Sequence, residues 1–135
     1  MKGRSSLYIF LGFFLAGIGG CGTNSPNSPA SPIQTAAQAT VDGARAAYDA
    51  GDYGRTISLL GAHAHEIDGA DANTQVTAHK LLAFSYCLKR RVTQCRAEFS
   101  RILDINPRFD LSPAEKGHPI WGPAFEAARR KHASS

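Results

Sequence analysis

From Gln34 to the C-terminus, apolar side chains recur mostly at three- and four-residue steps, the period of helices that bury one face. The pattern predicts a first helix over Thr35 to Ala50 and a second over Asp52 to Ile67. Between them, Ala50-Gly51-Asp52 supplies a glycine for the turn and an aspartate to cap the next N-terminus. On the second helix Tyr53, Ile57, Leu60, Ala64 and Ile67 form one stripe. Asp68 to Asn73 is a polar break. A third helix, Thr74 to Leu88, is apolar on two faces: Val76, Leu82 and Tyr86 on one, Leu81, Phe84 and Leu88 on the other. Such a helix is expected to be the most buried element. A fourth, Thr93 to Ile105, is one-sided, with Cys95, Phe99, Ile102 and Leu103 inward and Arg96, Glu98, Arg101 and Asp104 outward; Asn106-Pro107 ends it. Ser112-Pro113-Ala114-Glu115 reads as a capping box that opens a short turn. Gly122-Pro123 then starts a last helix over Ala124 to His132, whose Phe125 and Ala128 can close the open end of the stack.

Two helix pairs in succession call for a test of internal repetition. Ala44, Tyr48, Gly51, Asp52, Tyr53 and Leu60 resemble the turn and packing positions of a tetratricopeptide repeat. Ala83, Tyr86, Phe99 and the closing Pro107 resemble those of a second copy. Corresponding positions lie 39 residues apart, against 34 in regular repeats of this kind, and the first copy lacks the closing proline. The expected fold is all-α: a short tetratricopeptide-like array of helical hairpins, two pairs plus a C-terminal capping helix. An unrelated four-helix bundle is the alternative.

The first twenty residues do not belong to that domain. Lys2 and Arg4, an apolar run from Leu7 to Ile18 and small residues before Cys21 have the layout of an export signal. The run is 12 residues long, short of the roughly 20 that cross a bilayer. Ile18-Gly19-Gly20-Cys21 resembles the lipobox of bacterial lipoproteins, in which the Cys21 thiol takes a diacylglyceryl group and small neighbours admit the peptidase. An ordinary secreted protein with an incidental Cys21 is the alternative. Ser25-Pro26, Ser28-Pro29 and Ser31-Pro32 follow at a three-residue period and favour an extended, solvated spacer. The expected division is therefore a signal peptide at 1–20, a lipidated tether at 21–33 and a helical domain at 34–135. Gly22 after the cysteine, by the same resemblance, points to the periplasmic face of the outer membrane.

Charge and chemistry narrow the function. The chain of 135 residues has 15 basic and 11 acidic side chains. Lys2 and Arg4 lie in the leader, so the rest is nearly neutral and offers no basis for nucleic-acid binding. What remains is enough for a single small domain. His63 and His65, two apart, point to different sides of a helix and cannot chelate together. Glu66 and Asp68 sit at a helix end, where a solvated pair is the plain reading. The sequence carries no activated-nucleophile motif, phosphate loop or metal-spaced cluster. The expectation is a protein that is not an enzyme, with no small-molecule substrate and no cofactor beyond the lipid on Cys21. Cys87 and Cys95 fall on facing ends of the third and fourth helices, which predicts a disulfide in an oxidising compartment. Metal binding with His79 is the competing reading.

His79 to Cys87, Cys95 to Phe99 and Gly117 to Phe125, taken together with the lipobox and tether, resemble the TssQ-type lipoproteins associated with type VI secretion systems. The resemblance covers about half of the precursor. It implies an accessory envelope component that works through contacts with other proteins, and it carries over no binding residues. In tetratricopeptide geometry Arg45, Lys80, Phe84 and Leu88 would face a concave groove, although Phe84 and Leu88 could instead lie under the last helix. Trp121 either anchors that helix in the core or forms an exposed contact.

Overall fold

The computed structural model describes residues 29–135, so the signal segment, Cys21 and most of the Ser-Pro tether lie outside the described residues. The described residues form seven helices and no strand. The first, α1 (Pro32–Asp49), begins three residues before the periodic pattern does. Ser31-Pro32, expected to close the tether, is instead its start: the Ser31 hydroxyl accepts from the Gln34 amide at 3.1 Å, and proline occupies the first turn, where its missing N–H costs nothing. Ala37, Val41, Ala44 and Ala47 make its buried stripe. Gln34 clasps this end to the rest of the domain. Its carbonyl accepts from the Asp71 amide at 2.8 Å, and its amide donates to Thr74 Oγ1 at 2.9 Å.

The single second helix expected over Asp52 to Ile67 is two helices, α2 (Tyr53–Ala62) and α3 (Ala64–Asp68). His63, at φ −115° and ψ 27°, breaks the run. Gly61 just before it is a weak helix former. After the break Ala64, expected inward, is exposed. Ile67 instead becomes 3% exposed in a core with Val41, Ala44, Leu60, Ala78 and Leu81.

Helix α4 (Ala72–Leu88) is central and touches α1, α2, α3, α5 (Val92–Ile105) and α7 (Trp121–Ala133). Asp71 caps it, accepting from the Thr74 amide at 2.8 Å. Ala78 and Leu81 join the core against α1 and α2, whereas Ala83, Phe84 and Cys87 join a second core with α5 and α7. That second core is built on Phe99, Ile102, Leu103, Leu111 and Phe125. Cys95, Phe99, Ile102 and Leu103 of α5 all face inward, as their spacing predicts. Glu98, expected outward, is mostly buried because His79 Nδ1 lies 2.7 Å from its Oε2.

Both hairpin turns close with the same hydrogen bonds. The Asp52 amide donates to Ala47 O and that of Gly51 to Tyr48 O; likewise the Arg91 amide donates to Tyr86 O and that of Arg90 to Cys87 O. This closure places one residue in the left-handed region. Gly51 takes it at φ 78°, and Arg90, without glycine's freedom, at φ 60°. Beyond α5, Ser112 and Glu115 form the capping box of α6 (Pro113–Lys116). The last helix begins at Trp121, three residues before its expected start.

Candidate functional site

The α1 and α4 faces that do not meet in the core diverge into a cavity of about 480 Å³. α1 contributes Arg45, Tyr48 and Asp49, and α4 contributes Val76, Thr77, Lys80, Leu81 and Phe84. Phe109, Glu115 and Trp121 close its end. A smaller hollow of about 220 Å³ continues it towards Gln38 and Asn73, sharing Arg45 and Thr77. Asn73 to Phe84 along α4 corresponds to about 16 Å, or three helical turns.

Of the residues singled out from sequence, Arg45, Lys80, Phe84 and Trp121 converge here. Leu88 does not. It is half-buried one turn beyond Phe84, next to the α4–α5 turn, and does not line the cavity. Phe84 has both of the roles foreseen for it. It floors the cavity, and it is only 6% exposed because the indole of Trp121 stacks on it, centroids 4.3 Å apart and planes at 15°. Trp121 is accordingly an anchor whose other face carries the His118 ring at 3.3 Å.

Two cations, Lys80 and Arg45, and two carboxylates, Asp49 and Glu115, line the site. Lys80 Nζ lies 2.5 Å from Glu115 Oε1 and 5.5 Å from the Phe84 centroid. Arg45 is exposed and makes no ion pair among the described residues. Burial pushes the Glu115 carboxyl up, but the hydrogen bonds from Lys80 and from Ser112, with the Lys80 charge, outweigh it and hold the group below the usual value of 4.5. The Tyr48 hydroxyl is raised above 10.0, first by burial and then by Tyr53, Asp49 and Glu115. Glu115 and Tyr48 were legible only as a cap and a packing position. Their place in the cavity depends on how distant segments meet.

Cys87 and Cys95 form a disulfide across the α4–α5 hairpin, with Cα atoms 5.2 Å apart. Both thiols are thereby taken, and His79 is turned towards Glu98, which removes the metal reading for this group. His63 Nδ1 lies 3.7 Å from Glu66 at an exposed helix start. Among the described residues no three His, Cys, Asp or Glu side chains converge as a metal site would require. No described helix is long and apolar enough to cross a membrane.

Fold and site together define an all-helical protein with a mixed apolar and polar groove between its first and central long helices. Comparisons with protein-family models, curated proteins and solved structures found no match.

Proposed function

We propose that this chain is a non-catalytic envelope lipoprotein, anchored through a lipid on Cys21, that serves as an accessory protein-interaction scaffold of a type VI secretion system. The observation that carries the scaffold reading is the groove between α1 and α4. It has the length of about three helical turns, an aromatic floor in Phe84 and Trp121, and, in Arg45, a cation without an ion pair among the described residues. A surface of this kind suits an amphipathic helix or a peptide. The type VI assignment rests on the sequence resemblance through His79 to Cys87, Cys95 to Phe99 and Gly117 to Phe125, and the outer-membrane position on the lipobox and Gly22.

Within this proposal the fold is a tetratricopeptide-like pair of hairpins with a capping helix. The matched turn closures at Gly51 and Arg90, 39 positions apart, support that reading, as does the packing of α7 against α5. In such arrays each pair buries its face only against its neighbour. α7 would then act as the polar-faced end cap.

The test is a cross-linked pull-down of the tagged lipoprotein from solubilised envelopes, read by mass spectrometry against a Cys21→Ser control. Enrichment of type VI membrane-complex or baseplate proteins is the expected result, and Arg45→Glu should diminish it while helicity stays constant. Enrichment of barrel-assembly or pilus components instead would keep the scaffold and discard the secretion assignment. Capture unaffected by Arg45→Glu would move the contact face off the groove.

A further inference from the structure

The segment 112–120, which comprises α6 and the connection into α7, contributes Glu115 to the end of the groove, between Phe109 and Trp121 in sequence. At the level of the backbone α6 neighbours only one helix, α7. Its four residues are exposed apart from Glu115, which is partly buried. What joins this segment to the groove wall is one ion pair, Lys80 to Glu115, and one stack, His118 on Trp121 on Phe84. The remaining ion pairs, Lys116 with Asp110 at 2.5 Å and Asp110 with Arg129 at 3.6 Å, tie the segment to its own approach and to α7, not to α1 or α4.

The closed arrangement also leaves a polar group without a partner. Trp121 Nε1 is buried and meets no hydrogen-bond acceptor among the described residues. The two rings stacked on the indole, Phe84 and His118, lie over its plane and offer no acceptor to the N–H edge. A buried donor in that state disfavours the arrangement that buries it, whereas a part-exposed ion pair such as Lys80–Glu115 favours it only modestly. With the His118–Trp121 stack added to the ion pair, the closing contacts and the unpaired donor are of similar size and opposite sign, which is the condition for a segment with two accessible positions.

We infer that residues 112–120 form a strap that gates the groove, closed when Glu115 rests on Lys80 and His118 on Trp121, and displaced when a partner helix enters. The inference rests on the groove being the docking face proposed above. Displacement frees the Lys80 ammonium, uncovers the outer face of Trp121 and gives Nε1 access to water or to an acceptor on the incoming chain. Closure keeps the aromatic floor covered until a partner arrives. Gly122 fits this role: a Cβ there would collide with the Lys116 carbonyl oxygen, so the strap seats on the start of α7 only because that position is glycine.

Trp121 is the one tryptophan of the full chain, so its fluorescence reports the strap directly and without a partner. The full-length lipoprotein in detergent would be compared with Glu115→Gln, which keeps an acceptor for the Ser112 amide but weakens the ion pair, and with Lys80→Met. The expected result is that acrylamide quenches Trp121 about threefold to tenfold more efficiently in both variants, with a red-shifted emission, while far-UV helicity stays as in the parent chain. Added salt should move the parent chain in the same direction. Parent-level quenching in both folded variants would show the strap to be a fixed wall and overturn the inference. Should Lys80→Met lose helicity, Glu115→Gln alone decides. Because no partner is present, a fixed strap leaves the docking proposal standing, and failed capture in the pull-down leaves a strap shown to move.

Discussion

Glu115 shows how one side chain acquires two tasks. One carboxylate oxygen, Oε2, accepts from the Ser112 amide and completes a cap that is legible in four consecutive residues. The other, Oε1, meets Lys80 of α4, a contact between residues 35 apart that no local motif announces. Arg90 illustrates the opposite case. It occupies the left-handed position of the second hairpin turn, where the first turn has Gly51, and a residue with a Cβ is disfavoured there by roughly 1 kcal/mol. Arg90→Gly is therefore expected to raise unfolding free energy by about that amount, partly offset by the greater freedom of glycine in the unfolded chain. Urea denaturation would check it, and a loss of stability would show that the Arg90 side chain contributes more than its backbone costs. Among the site residues, Lys80 and Phe84 were legible because they share a face one turn apart. Leu88 was assigned to the same face, but at that level the structure has the hairpin turn in place of the groove.

At the scale of elements, helix positions followed from periodicity and caps, and the departures have local causes. α1 starts early because Ser31-Pro32 is a cap rather than the last link of a spacer, and α2 stops early at His63, two residues after the weak helix former Gly61. The α4–α5 hairpin is held by its core contacts and by the Cys87–Cys95 bridge, whose partners are eight residues apart in sequence. Closing so short a loop contributes about 2–3 kcal/mol by its effect on the unfolded chain. Cys87→Ala combined with Cys95→Ala is expected to lower unfolding free energy by about that much, plus a small cavity term, with helicity retained in the absence of denaturant. An unchanged denaturation midpoint would mean that packing of Phe84, Phe99 and Phe125 alone fixes the hairpin.

At the scale of the whole fold, three carboxylates among the described residues have their pKa held below their ordinary values. Asp71 is lowered mainly by the Thr74 amide, against a smaller opposing effect of burial, and Asp110 by the Lys116 hydrogen bond. Glu115 is lowered by Lys80 and Ser112 against burial. A depressed folded-state pKa contributes stability that is complete above the unfolded values of 3.8 and 4.5 and is lost as pH falls through the folded ones. The melting temperature is thus expected to fall on acidification below about pH 4.5, and Glu115→Gln should flatten part of that decline. Thermal unfolding followed by circular dichroism from neutral pH downward checks both.

The sequence by itself determined the all-helical class, the α5 core face and the cysteine pair. It also placed the caps at Asp52 and Ser112. All of these depend on residues within a few turns of one another, where periodicity and capping operate. Tertiary structure decided the division of the core around α4, the burial of Glu98 by His79, and the composition of the groove. These depend on which side chains arrive together from segments dozens of residues apart. The spacing of polar and apolar positions records which face is buried, but not which neighbour it is buried against.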